Sequence, residues 1–202
     1  MNYEALYERI LRRVDHGAYL AYADAVPDAQ QAPMAEIGAY IQSPGFLPGT
    51  GRELARRFHA EGRIDRIMYL SALQVIAMSP AVGDYAEAAR LLAEKELAAI
   101  TVGGPDLQLH LASVDRHRGA IAFLKGSYDV ALDYFSRAFE RQRSAGNLGN
   151  VLAALVRLGD VDEARSLLSR IRSGLPDTIV DALNDMIQID TDLALLRTEI
   201  SR

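Results

Sequence analysis

Apolar residues recur along most of the chain at spacings of three and four, which is the period of one face of an α-helix. Alternation of β-branched and polar residues between hairpin turns, the pattern of a strand, is almost absent. The pattern predicts an all-α protein with no sheet, in which more than roughly 65% of the residues are helical. The predicted helices span residues 3–15, 18–26, 31–43, 51–61, 64–79, 84–100, 106–124, 127–143, 147–158, 161–173 and 177–200.

Two stretches interrupt this pattern. The segment SPGFLPGTG at 43–51 contains two prolines and three glycines, and the segment TVGGPD follows at 101–106. Proline and glycine are the residues that most strongly interrupt helices. The first break predicts a division into an N-terminal helical segment, residues 1–48, and a longer array of helices, residues 49–202, that ends in a capping helix.

The predicted helix 64–79 is apolar on nearly every side. Its apolar run, IMYLSALQVIAM, has about twelve residues, well short of the roughly 20 that a membrane-spanning helix needs. A helix that is hydrophobic all round is normally buried in a core. If Leu70, Leu73 and Ile76 were instead accessible, an oligomer interface would be the better explanation.

Three segments share a pattern of glycine, alanine and a large apolar residue. They are GDYAEAARLLAEK from Gly83, GSYDVALDYFSRA from Gly126 and GDVDEARSLLSRI from Gly159. In the second segment, Ala131, Phe135 and Ala138 fall on one helical face. Small residues beside a large ring indicate that another helix approaches closely at this face, and the three glycines are expected to form the turns.

This pattern resembles the tetratricopeptide repeat (TPR) family, whose unit is a pair of antiparallel helices of about 34 residues. The resemblance is best over residues 113–143 and next best over 147–176. Over residues 67–100 it extends only to the second helix, where Lys95 stands in place of a small residue. The resemblance implies stacked antiparallel hairpins that form a right-handed α-solenoid.

The resemblance also implies a binding surface. In this family the first helix of each hairpin lines a groove that holds a peptide. Carried over by position, the residues facing the peptide would be Ser113, Arg116, Ala120, Phe123, Asn150, Ala153 and Arg157. An asparagine can pair with a backbone donor and acceptor at once, and an arginine can hold a carboxylate with two donors. The alternative for Asn150 is an ordinary helix-start residue beside Asn147.

Charge and composition narrow the choice of partners. The chain has 27 acidic and 22 basic residues and a net charge of −5, so no nucleic-acid partner is expected. There is no cysteine, which excludes disulfides and thiolate chemistry. The N-terminal MNYEALYERILRRVDH is amphipathic and charged, unlike a secretory signal. We expect a cytoplasmic protein with a protein or peptide partner and no membrane partner, and homodimerisation stays open.

Two polar regions have competing interpretations. Arg52, Arg56 and Arg63 form a secondary basic surface, which is either a docking site for an acidic partner or a solvated face partly neutralised by glutamates. The glycine-rich segment before it lacks the spacing of a phosphate-binding loop. Thr50 is therefore expected to be the N-cap of a helix that begins at Gly51.

No residue is assigned to catalysis, and no metal or cofactor is expected. His110 and His117 are seven residues apart on one helix, whereas zinc ligands on a helix are usually closer, so we expect two partly exposed polar side chains. The favoured hypothesis is a non-enzymatic adapter that binds a peptide or a protein. The alternatives are an effector-sensing regulatory subunit and an all-helical enzyme with its site in residues 43–51.

Overall fold

The computed structural model describes residues 28–172, 174 and 176–199. Helices account for 81% of these residues, and no strand occurs among them, so the predicted all-α class is confirmed for this part of the chain. The predicted helices 3–15 and 18–26 lie outside the described residues. The helices are α1 (Asp28–Ile41), α2 (Pro48–Ala60), α3 (Arg66–Met78), α4 (Tyr85–Val102), α5 (Leu107–Leu124), α6 (Tyr128–Arg141), α7 (Ala145–Leu158), α8 (Val161–Arg172), α9 (Asp177–Ile189) and a terminal 3₁₀ helix (Thr191–Glu199).

Helix α2 begins earlier than the sequence pattern predicts. The helix starts at Pro48, and Leu47 occupies the N-cap position with no side-chain hydrogen bond. Thr50 therefore lies inside the helix, and its predicted role as N-cap is wrong. Proline is well tolerated in the first turn, because its missing N–H would have no partner within the helix there.

The predicted last helix, 177–200, is divided in two. Helix α9 ends at Ile189, and Asp190 has extended backbone geometry with φ −85° and ψ 123°. The Asp190 carboxylate accepts a hydrogen bond from the Asp192 backbone N–H at 2.8 Å. A short aspartate side chain that bonds to a nearby backbone group competes with helical hydrogen bonding, and the chain continues as a 3₁₀ helix.

The three predicted turn glycines do lie between helices. Gly83 precedes α4, Gly126 precedes α6 and Gly159 precedes α8, with φ values of 63°, 78° and 90° respectively. Left-handed backbone of this kind costs glycine little, because it has no Cβ to collide with the following carbonyl. The prediction that the chain turns at these positions is confirmed.

The described residues form two compact units, and the division falls inside α5 between Val114 and Asp115. In the unit formed by residues 28–114, helices α1 to α4 share a hydrophobic core. Its buried members are Ile37, Ala55, Phe58, Ile64, Ile67, Met68, Ala72 and Ala99. In α3, Leu70 and Ile76 are 2% and 0% exposed and Leu73 is half-buried, so the predicted burial of this helix is confirmed.

In the unit formed by residues 115–199, α5 and α6 pack in antiparallel orientation. Phe123 near the end of α5 meets Tyr128 at the start of α6, with ring centroids 5.0 Å apart. Asp115 at the other end of this segment meets Arg141 at the end of α6. Between these contacts, the Phe135 ring lies directly against Gly119, where a Cβ would be 2.5 Å from the ring.

The small residues of α6 are buried as their spacing predicts. Ala131 and Ala138 are 0% exposed, and Phe135 between them is 2% exposed. Because alanine extends little beyond the backbone, neighbouring elements can approach closely at these positions. The face containing Ala131, Phe135 and Ala138 is therefore a packing surface.

Helix α7 is buried over most of its length. Every residue from Ala145 to Leu155 is buried. The helix packs against α6, α8, α9 and the 3₁₀ helix. Its Gly149 faces the Met186 sulfur of α9.

No helix in the described part of the chain is long and apolar enough to span a membrane.

We predict opposite effects of the same substitution at two helical glycines. Gly119→Ala places a methyl group against the Phe135 ring, which is buried and cannot move without its neighbours, so overpacking should lower the free energy of unfolding by about 1–3 kcal/mol. Gly149→Ala meets the flexible Met186 side chain instead, and it gains up to about 1 kcal/mol of helix propensity. Urea unfolding followed by circular dichroism measures both values, and equal destabilisation of the two variants would contradict the predicted contacts.

Candidate functional site

The structure buries most of the residues that the sequence assigns to a peptide groove. Arg116 and Asn150 are each 1% exposed. Ala120, Phe123 and Ala153 are 0–1% exposed. Ser113 is 2% exposed, so that among the seven predicted positions Arg157 is the one with a partly accessible side chain, at 26%. A partner that touches the other six must therefore displace part of the protein that covers them.

The apolar members of this set have packing roles. Phe123 contacts the Tyr128 ring and lies 6.3 Å from the Phe135 ring centroid. Ala120 and Ala153 lie in helices α5 and α7, where their small side chains are fully buried. These contacts explain why the sequence has small and aromatic residues at these positions without any ligand.

Arg116 also differs from the sequence expectation. As a groove residue it would be a surface arginine whose replacement hardly changes folding, but the structure places its whole side chain in the interior. Burial of a guanidinium requires compensating interactions, which a truncation to alanine would break. Arg116→Ala is therefore expected to destabilise the fold.

Two polar side chains on one face of α7 each have a hydrogen-bond donor that is not used within the described structure. Asn150 and Arg157 are separated by seven residues, two turns of helix. The Asn150 Nδ2 and the Arg157 Nε are buried atoms that have no acceptor in the part of the chain that the structure describes. Buried donors without acceptors are rare in native proteins and call for an explanation. The face of α7 that carries this pair is the candidate functional site.

The other end of the Arg157 side chain is held in place. Its Nη2 lies 3.1 Å from Oδ1 of Asp192, a carboxylate on the 3₁₀ helix that is itself only 6% exposed. The guanidinium carbon is 5.9 Å from the centroid of the Tyr128 ring. Because Nη2 is engaged and Nε is not, the guanidinium is oriented and still has a donor to offer.

A second polar group beside this face is structural. Asn147 is 0% exposed, and its side-chain amide donates to the backbone carbonyls of Ala138 at 3.3 Å and Gln142 at 2.9 Å. The Ala138 carbonyl also accepts from the Gln142 backbone N–H, and the Gln142 carbonyl lies just beyond the end of α6, so Asn147 fixes the chain at the C-terminal end of α6. The sequence shows two asparagines three residues apart, and only the tertiary contacts distinguish their roles.

The buried ion pair between Asp115 and Arg141 was not predicted from the sequence. The Arg141 Nε lies 2.9 Å from Oδ2 of Asp115, which is 6% exposed. The two residues are 26 positions apart, on the antiparallel helices α5 and α6. Nothing in the local sequence pattern marks them as partners, because their proximity depends on the alignment of the two helices.

The secondary basic surface is paired with carboxylates. Arg52 contacts Glu87 at 2.6 Å, Arg56 makes two hydrogen bonds to Glu53, and Arg63 lies 3.7 Å from Glu61. Arg63 also lies over the Phe58 ring, 4.0 Å from its centroid. This pairing favours the solvated-face interpretation of the three arginines.

Lys95 is the most unusual charged residue of the unit formed by residues 28–114. It is 0% exposed, and its Nζ donates to the Ser113 Oγ at 2.9 Å. His110, one helical turn from Ser113, is half-buried, and its Nδ1 has no hydrogen-bond partner among the described residues. Burial lowers the pKa of His110 below its ordinary value of 6.5, and the Lys95 ammonium lowers the pKa further. Asp65 and Asp106 act in the opposite direction.

Neither predicted histidine forms a metal site with its neighbours. His117 is 6% exposed, so the expectation that both histidines are partly exposed holds only for His110. Across the described ranges, no group of three or more histidine, aspartate, glutamate or cysteine side chains is arranged to hold a metal ion.

We predict that His110 makes the stability of the protein depend on pH. Its pKa is lowered in the folded state, so the unfolded chain binds more protons at this position. The free energy of unfolding should therefore fall as the pH drops from above 6.5 toward the lower pKa of the folded protein. In His110→Gln this loss should be smaller than in the wild type, as measured by urea unfolding at a series of pH values. Parallel pH profiles of the two proteins would refute the prediction, since other titrating groups are common to both.

No protein-family model, curated protein or solved structure matches this chain. The TPR resemblance therefore stays a prediction from the residues quoted above.

Proposed function

We propose that this chain is a non-enzymatic helical-repeat adapter that binds an acidic segment of a peptide or protein through α7. The proposal includes the stacked-hairpin arrangement implied by the TPR resemblance. The observation that carries it is the pair of buried donors, Asn150 Nδ2 and Arg157 Nε, that have no acceptor among the described residues.

The spacing of the two donors suits an extended peptide. Seven residues of α-helix correspond to about 10.5 Å along the axis. An extended chain covers about 3.3 Å per residue, so roughly three peptide residues span the distance. Ala153 lies between the two donors along the helix, and its small side chain is buried.

The chemistry of the pair indicates what the partner presents. Asn150 would donate to a peptide carbonyl, and Arg157 would bind a carboxylate through its Nε. Asp192 already holds Nη2 at 3.1 Å, so the guanidinium is oriented before the partner arrives. The partner reaches the exposed part of Arg157 first, and contact with Asn150 follows when the covering side chains move.

Unpaired donors are also unfavourable for stability. Each buried donor without an acceptor costs about 1–3 kcal/mol relative to a satisfied one. Residues retained at such a cost are expected at functional positions, where a partner supplies the missing acceptor. No specific contact among the described residues favours the effector-sensing alternative or an enzyme site in residues 43–51.

The first test uses Arg157. A partner recovered by affinity isolation with the full-length chain and identified by mass spectrometry would be titrated calorimetrically into wild type and Arg157→Ala. Loss of a hydrogen bond to a charged group should weaken binding by about 1–3 kcal/mol. Arg143→Ala, which removes an exposed arginine elsewhere in the same unit, is the matched control and should bind like wild type.

Asn150→Leu separates a binding role from a structural one. The substitution replaces a donor that has no acceptor by an apolar side chain of similar size, so the free energy of unfolding should stay equal or rise. Binding should weaken at the same time. A variant that is destabilised, or one that binds like wild type, would contradict the proposal.

A further inference from the structure

Helix α4 has one buried face, and its exposed side carries a row of apolar residues with Arg90 and Thr101 along one edge. The buried side consists of Ala88, Leu91, Leu92, Lys95 and Ala99. The opposite side, which we name the outer stripe, consists of Ala86, Ala89, Ala93, Leu97 and Ile100, all exposed. Leu97 is 67% exposed and Ile100 is 56% exposed.

The outer stripe is continuous. Its residues follow one another at intervals of three, four, four and three, which keeps them on one side of the helix. The solvent-facing side of a helix normally carries charged and polar residues. A continuous exposed apolar surface is instead typical of a contact with another protein.

The outer stripe is graded in size along the helix. Its first three residues are alanines, and its last two are leucine and isoleucine. A second α4 in antiparallel orientation would set Leu97 of each copy against Ala93 of the other, and Ile100 against Ala89. Large residues would then fill the space above small ones on both sides of a twofold axis, as the self-complementary interface of a symmetric dimer requires. In a parallel arrangement, leucine would meet leucine and alanine would meet alanine.

The charges beside the outer stripe are compatible with a second copy. Glu94, at the margin of the stripe, contacts Arg90 on the same helix and Arg66 at 3.3 Å. The two Glu94 carboxylates of a symmetric dimer would therefore each be accompanied by cations of their own chain. We propose that the protein forms an antiparallel homodimer through the outer stripe of α4.

The size of the surface indicates how strong the dimer is. An 18-residue helix is about 27 Å long, and a contact along one of its faces falls below the roughly 1,200 Å² of a standard interface. We therefore expect a reversible dimer with a dissociation constant in the range of about 10–100 μM.

The first experiment is analytical ultracentrifugation of the full-length chain at concentrations from about 5 to 500 μM. The wild type should change from monomer to dimer across this range. Leu97→Glu should weaken dimerisation at least about tenfold, because it places a charge against an alanine of the other copy. Leu47→Glu makes the same chemical change at a similarly exposed site, 63% against 67%, and should dimerise like wild type.

Circular dichroism melts of the two glutamate variants show whether each is folded. Folded Leu97→Glu that dimerises like the wild type would overturn the proposal. A wild type that stays monomeric across the whole range would also overturn it. In that case a different protein would be the candidate partner of the outer stripe.

The second experiment tests the orientation and uses the absence of cysteine from the chain. Ala89→Cys and Ile100→Cys are prepared separately, mixed in equal amounts and oxidised with diamide. The antiparallel dimer should give mainly the mixed disulfide between the two variants. A parallel dimer would give each variant linked to itself, which would overturn the proposed arrangement even if the ultracentrifuge shows a dimer.

Discussion

The close contact between Gly119 and Phe135 determines the geometry of the unit formed by residues 115–199. Because Gly119 has no Cβ, the Phe135 ring can lie against the backbone of α5. This contact aligns α5 and α6, so that Phe123 meets Tyr128 at one end and Asp115 meets Arg141 at the other. An aromatic contact and a buried ion pair thus depend on one position where no side chain is present.

Tight packing of helices places polar groups in the interior. Some of them are hydrogen-bonded to the backbone and stabilise the fold, whereas others have donors without an acceptor. Asn147 donates to two backbone carbonyls and therefore stabilises the end of α6. Asn150, one turn later on the same helix, has a donor with no acceptor among the described residues. Both are asparagines and both are fully buried. Only the contacts distinguish a structural residue from a candidate for binding.

In the unit formed by residues 28–114, two surfaces differ in how far the sequence alone indicates their role. The secondary basic surface of Arg52, Arg56 and Arg63 is conspicuous in the sequence, but carboxylates neutralise it in the structure. The outer stripe of α4 is inconspicuous, because alanine and leucine are ordinary residues of any helix. Once the buried face of α4 is known, five exposed apolar residues on its opposite side become the more informative surface.

For the residues that the structure describes, the sequence by itself determined the helices and their turns. Apart from the division of the last helix at Asp190, helix ends were predicted to within about three residues, because the period of apolar residues and the positions of glycine are local properties. The sequence also predicted the positions where small residues allow close helix packing, as the buried Ala131 and Ala138 illustrate. Only the tertiary structure decided which side of each helix is covered, and so which polar groups are buried. The burial of Arg116 and Lys95 and the pairing of Asp115 with Arg141 depend on residues distant in sequence, whose positions no local pattern encodes.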